Sequence, residues 1–243
     1  MNGRGSLLLV GVSLVAFCLV SNAATYSGSL TYTPPYPTDS ADEVMVGPSN
    51  LQWVNYTVSI SWTVTDTDNS QPGYPWLYTY NFTLSGSQAG ISHVIIESSP
   101  EFIASDITGI TGASLYSIDS QKANSGNPNM PDDVFGLKFD PLTESPSNMV
   151  WSFYSDRAPV WGDFYARCGG KQGGINFAYN YNNTGGTETG FLSPDTDPSD
   201  PASAGTSANH YFYHILRPDT IPEPATVSLV ALGALALFCR RKK

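Results

Sequence analysis

Three histidines, three cysteines and 21 acidic residues are the groups in this 243-residue chain that could do chemistry, and their spacing narrows what that chemistry is. His210 and His214 stand at i and i+4 in "HYFYH". On a helix that spacing can hold zinc, but no Glu follows the first His, and the alternating aromatics read as a strand. Two rings so spaced on one strand face lie roughly 13 Å apart at about 3.3 Å per residue, too far to share a metal. Tyr211, Tyr213 and Ile215 are then expected on the core side, and His93, alone beside a buried strand, is given no role. The acids cluster at Asp66 and Asp68 ("DTDN") and at Asp195, Asp197 and Asp200 ("DTDPSD"). Alternate loop oxygens suit calcium, which takes about six to eight oxygen ligands. Neither stretch has the glycine and distal glutamate of an EF-hand loop, so these five residues are calcium candidates beside their plainer reading as solvated turns. Calcium is the one cofactor left open.

Hydrolysis of a glycosidic bond needs two carboxyl groups about 5–9 Å apart. An acidic chain supplies many carboxylates, and nothing here singles out a pair. Gly-x-Ser-x-Gly elbow, phosphate loop, zinc helix and dinucleotide fingerprint are all missing from the sequence. The reading is therefore non-enzymatic, with a polysaccharide hydrolase as the remaining catalytic alternative. Five Trp and 14 Tyr are the other signal. Exposed rings stack on sugar faces, and Tyr74, Trp76 and Trp161 lie near turns; most Trp, however, alternate with polar residues as core rings do.

The elements that must position these groups are strands. Tyr, Thr, Ser, Asn, Gly and Pro dominate, the preferences of strands and turns. "NYTVSISWTVT" (55–65) puts Tyr56, Val58, Ile60, Trp62 and Val64 on one face and small polar residues on the other. "WLYTYNFTL" (76–84) repeats the pattern, and "DTDNSQPGYP" between them makes a long hairpin loop. Further strands are expected at 26–33, 92–98, 114–118, 134–139, 149–155, 163–168, 175–181 and 211–216, while 122–133 and 193–209 read as polar loops. No stretch shows a 3.6-residue apolar stripe. Eight to ten antiparallel strands imply an all-β fold: a single two-layer β-sandwich of jelly-roll or immunoglobulin-like type over residues 24–217.

Both ends are addresses rather than fold. Arg4, an apolar run from Leu7 to Val20 and Ser21-Asn22-Ala23 form a secretory signal peptide over 1–23, cut after Ala23 or Ala24. Between 24 and 220 the chain then carries six Lys and Arg against 20 Asp and Glu, a net charge of −14. Nucleic acid and anionic membrane surfaces repel such a body, so both are poor partners for it. Cys18 leaves with the signal peptide and Cys239 sits in the tail, so Cys168 alone remains and is expected as a small buried hydrophobe.

The tail, 218–243, holds Pro222-Glu223-Pro224, a charge-free stretch from 225 to 239, and Arg240-Arg241-Lys242-Lys243. As a single transmembrane helix its 15 uncharged residues span roughly 22 Å, short of the roughly 30 Å hydrocarbon core. The closing cations stay on the cytoplasmic side and the body faces outward. The prolines keep the segment before the span extended, with Glu223 accessible between them.

These three elements in this order resemble the PEP-CTERM sorting signal. The resemblance implies recognition and cleavage by an exosortase, a membrane transpeptidase, after transient anchoring in the inner membrane. "SDRAPVWGDFYARCG" (155–169) and "ISHVIIES" (91–98) resemble segments that recur in secreted PEP-CTERM proteins of unassigned function, which implies a shared sandwich domain and supplies no activity. Trp161-Gly162-Asp163 in the first reads as the start of a strand: a Trp plug, a Gly that permits a bulge, and an Asp that caps neighbouring amides. The expected protein is an exported, exosortase-sorted component of the cell surface or extracellular matrix, non-catalytic and associated with extracellular polysaccharide. A lectin-like sugar-binding module is the alternative.

Overall fold

The structure, a computed structural model, describes residues 23–35, 43–48, 52–86, 89–169, 174–180, 183–184, 187–188 and 214–218. The expected signal peptide up to Asn22, the second acid cluster (Asp195, Asp197, Asp200), His210, the motif Pro222–Pro224, the span 225–239 and the basic end Arg240–Lys243 lie outside the described residues. Among the described residues no helix is long and apolar enough to cross a membrane.

The fold is all-β. Among the described residues fifteen strands run in chain order: β1 Thr25–Tyr32, β2 Val44–Gly47, β3 Thr57–Thr65, β4 Trp76–Ser85, β5 Ile91–Glu97, β6 Ile107–Thr111, β7 Ala113–Gln121, β8 Val134–Pro141, β9 Asn148–Ser155, β10 Pro159–Gly162, β11 Phe164–Cys168, β12 Phe177–Asn180, β13 Asn183–Thr184, β14 Thr187–Glu188 and β15 Ile215–Pro218. One sheet has the order β1-β3-β4-β9-β6 and a second the order β2-β12-β11-β5-β8-β7, while β10 pairs with β15 and β13 with β14; every pairing is antiparallel.

Period-two alternation decides how the two large sheets meet. Val58, Ile60, Trp62 and Val64 of β3 and Tyr78, Tyr80, Phe82 and Leu84 of β4 are all buried, and Tyr80 sits directly opposite Trp62 in the ladder. Rings from the second sheet meet them. Phe139 of β8 lies 5.8 Å from Trp151 and stacks on Phe153 at 5.6 Å, both of β9, and Phe82 of β4 reaches Phe164 of β11 at 6.2 Å. One continuous cluster of buried side chains joins the sheets. Aromatic pairs of this kind add about 0.5–1.5 kcal/mol each beyond their buried area. Gly28 of β1 makes room for this packing: a Cβ there would strike the Trp62 ring.

The strands among the described residues outnumber the eight to ten expected, because β2, β6 and β10 are short and β13 and β14 shorter still, so none carries a readable alternating signal. Stretch 122–133, expected as a plain polar loop, instead folds onto the outside of the second sheet. Met130 and Asn127 are buried there, and Met130 completes a small cluster with Ile95, Val134, Tyr165, Phe177 and Tyr179. The Tyr165 hydroxyl donates to the Pro128 carbonyl at 2.8 Å.

His93 belongs to this seal. Asn127 donates its amide to the Lys122 carbonyl at 3.0 Å, which leaves its oxygen to accept from His93 Nε2 at 2.9 Å and so places the ring hydrogen on Nε2. Burial first, and the charge of Lys138 second, push the His93 pKa down from 6.5 to about 3. Protons therefore bind the unfolded chain more readily than the folded one between pH 6.5 and about 3. The stability this ring lends is whole above pH 6.5 and is lost as the pH falls through that window. His93→Phe is expected to flatten the acid limb of stability against pH, read as urea midpoints from pH 7 to pH 4, whatever its effect at neutral pH; an unchanged slope would contradict the assignment.

Candidate functional site

The first acid cluster sits in the β3–β4 loop, and both of its carboxylates are engaged locally. Asp66 Oδ1 accepts the Ala24 backbone N–H at 2.6 Å, and the Asp66 N–H returns a bond to the Ala24 carbonyl at 3.1 Å. Asp68 Oδ1 accepts the Ser70 N–H at 2.9 Å and the Ser70 hydroxyl, closing an Asx turn, while Oδ2 accepts the Tyr154 hydroxyl at 2.9 Å. These bonds, the Ser70 hydroxyl foremost, hold the Asp68 carboxyl below its usual range. Among the described residues no three His, Cys, Asp or Glu side chains stand together as a metal site.

The ring candidates fare unequally as sugar platforms. Trp161 is buried and packs edge-on against Trp62 at 6.1 Å, which removes it. Trp76 is half-buried and stacks on Tyr26 at 6.5 Å, and Tyr74 is half-buried with its hydroxyl donating to the Ser105 carbonyl at 2.8 Å. Cys168 is free and buried as expected, its sulfur accepting the Asn176 backbone and side-chain N–H groups at 3.1 and 3.3 Å.

The densest arrangement of ionisable groups was not legible in the sequence. It lies where the chain leaves β9, runs through β10 and enters β11. At the near end, Arg157 Nη2 meets Asp106 Oδ2 at 2.9 Å with both side chains buried, and Tyr78 donates its hydroxyl to the Arg157 carbonyl at 2.8 Å. At the far end stands Asp163, 3% exposed. Its Oδ1 faces His214 Nδ1 at 3.1 Å and accepts the Asn180 side-chain amide. A carboxylate only accepts, so the His214 hydrogen is on Nδ1. The same Asn180 uses its oxygen to accept the Phe164 N–H at 2.8 Å. Glu97, at the end of β5, accepts the Asp163 N–H at 2.8 Å and faces Arg217 Nε at 3.6 Å. Leu216, between His214 and Arg217, gives its carbonyl to the Tyr80 hydroxyl at 2.8 Å.

Gly162 differs from its expected role. The β10–β15 register runs without a shift from Pro159↔Pro218 to Gly162↔Ile215, so there is no bulge. Glycine is needed because a Cβ would enter the space filled by Arg217 and Glu97. Asp163 likewise caps no backbone amide; Glu97 and Asn180 do that, and Asp163 takes side-chain donors. Sequence reasoning could have marked this cluster only by the lone Arg217 and the second His of "HYFYH", since Glu97, Asp163 and Arg217 are brought together by the sheets.

The whole network pins β15. Its residues Ile215–Pro218 are buried, and β10 is its ladder partner. Two residues after Pro218 the chain reaches a segment, 220–243, that matches the family model of the PEP-CTERM protein-sorting motif. The chain carries a PEP-CTERM sorting motif. It is thereby an exported substrate of an exosortase, bound for the cell surface or beyond. No curated protein and no solved structure matches the chain.

Buried ions tolerate a missing partner poorly: removing one member of such a pair costs about 3–5 kcal/mol, because the other charge stays buried. Arg217→Ala is expected to lower stability by about that amount in urea unfolding. The double change Arg217→Met with Glu97→Gln is expected to recover most of the loss, since neither charge is then left behind. Equal losses in both variants would mean that packing, and not charge, carries the contact.

Proposed function

We propose that this protein is a non-catalytic structural or adhesive component of the bacterial cell envelope or extracellular matrix, associated with extracellular polysaccharide. Its body, 24–217, is read as one two-layer β-sandwich, and its tail as a delivery device. Export begins with the signal peptide over 1–23. Residues 225–239 then hold the chain briefly in the inner membrane, with Arg240–Lys243 inside, while an exosortase acts near Pro222-Glu223-Pro224.

The observation that carries this reading is the sorting motif at 220–243 following directly on a strand locked into the body. The chemistry of the body favours an architectural role. Glu97, Asp163, His214 and Arg217, and Asp106 with Arg157, are buried and bonded to one another, so they hold strands in place rather than face a substrate.

Ala24 bears on the processing of the other end. It is the first of the described residues bonded into the fold: its N–H goes to the Asp66 carboxylate, and its carbonyl accepts from the Asp66 N–H and, at 3.0 Å, from the Thr65 hydroxyl. Ala23, by contrast, is exposed. Cleavage after Ala23 turns the Ala24 amide into an ammonium already seated on Asp66, a charge-assisted bond stronger than the one it replaces.

Intact mass of the protein recovered from its native envelope or culture fluid tests the reading. The expected species begins at Ala24 and ends before Ala225, with added mass at the new C-terminus if the body is joined to another molecule. A species that still ends at Lys243 would contradict sorting.

A further inference from the structure

The two large sheets differ in charge. Every strand-borne Asp, Glu, Lys or Arg in them, Arg167, Glu97, Lys138, Asp140 and Asp119, lies in the β2-β12-β11-β5-β8-β7 sheet. The β1-β3-β4-β9-β6 sheet holds none, in a body whose net charge is −14. Its outward side chains fall into registered ranks across four strands. One rank is Ser27–Thr63–Thr79–Ser152, and the next is Ser29–Ser61–Asn81–Val150. Such ranks lie about 6.7 Å apart along the strands, with neighbours about 4.8 Å apart across them. The centre of this face is a shallow depression of about 490 Å³, lined by Ser27, Ser29, Ser61, Thr63, Thr79 and Asn81.

We infer that this outer face is a binding surface for an uncharged polysaccharide strand. The proposal rests on the reading of the protein as polysaccharide-associated and says where and to what it binds. Charge selects the partner. A polyuronate or nucleic acid approaching this body meets a net negative field, whereas a neutral sugar polymer meets none. Hydrogen-bonding capacity agrees. Each Ser or Thr hydroxyl both donates and accepts, as sugar hydroxyls do, and Asn81, whose oxygen already accepts the Thr83 hydroxyl at 3.1 Å, adds two amide donors. Among the described residues the hydroxyls of Ser27, Ser29, Ser61, Thr63 and Thr79 are not spent on other side chains, unlike Thr25 and Thr65, paired at 2.8 Å, and Ser152 at the end of the first rank, paired with Thr111 at 2.8 Å. Trp62 and Tyr80 also line the depression, but at 6% and 0% exposure their rings are buried between the sheets and offer no open platform of the kind that anchors a protein interface. Each sugar contact is individually small, so binding strengthens with polymer length through repetition along the face.

Affinity electrophoresis of the exported protein in native gels containing dextran, mixed-linkage β-glucan or alginate tests this. Variants Thr79→Glu and Ser61→Lys place a charge of either sign in the depression, and Thr79→Ser keeps the hydroxyl; circular dichroism checks that each is folded. The wild type and Thr79→Ser are expected to be retarded by a neutral polymer and not by alginate. Both charged variants are expected to bind about tenfold or more weakly, because a charge is buried against the sugar without a partner. Retardation by a neutral polymer that survives both charges overturns this face and leaves polysaccharide association standing elsewhere on the body. Absence of retardation by any of the polymers overturns that association as well. A dimer that the same charges dissociate, without polymer binding, gives the face to a second copy and also overturns the proposal.

Discussion

Asp163 and Glu97 hold one crossing of the chain between them. Asp163 sits 3% exposed with His214 and Asn180 on the same oxygen, and its backbone N–H ends on Glu97, which in turn faces Arg217. Buried charges are costly unless paired and hydrogen-bonded, so this geometry tolerates little drift. Three separate pieces of chain, the end of β5, the β10–β11 corner and β15, must therefore arrive together. Arg157 and Asp106 fix the other end of β10 in the same way. With both ends fixed, β10 offers β15 a ladder partner, and the last described strand becomes part of the body.

That placement links fold to delivery. An exosortase substrate has to remain attached to its sorting segment until the cut is made, and only Asp219 separates Pro218 from the PEP-CTERM motif. A frayed final strand would leave a loose leash between the two; a buried one hands the motif over at the edge of a folded unit. Acids and bases lie in loops and on one sheet, while the strands of the other carry none and its outer ranks are mostly hydroxyl and amide groups.

Alternation made most of the two-sheet architecture legible. In β3 and β4 one face is buried and the other wet, so Val58 to Val64 and Tyr78 to Leu84 announce themselves residue by residue. β2 and β10 do not, because "VMVG" and "PVWG" are four residues each, almost wholly buried and too short to show a period, and of β15 only its start falls within the strand expected at 211–216. The covering role of 122–133 was equally hidden: its composition is polar, and only Met130 hints at the seal over Tyr165 and Phe177. The ionic cluster is a tertiary product, with 66 positions between Glu97 and Asp163 and 51 between Asp163 and His214. No local spacing could join them. The sorting motif was readable for the opposite reason, since its three elements are contiguous and an enzyme reads them as sequence.

The claim on which most depends is that β15 belongs to the body right up to the sorting motif. Native-state hydrogen exchange on the exported protein, followed by mass spectrometry of the peptide covering Ile215–Pro218, tests it directly. The account predicts that this peptide exchanges as slowly as peptides from β4 and β11, opening only with the global transition. Exchange of β15 at the rate of a fraying terminus while β4 and β11 stay protected would contradict it.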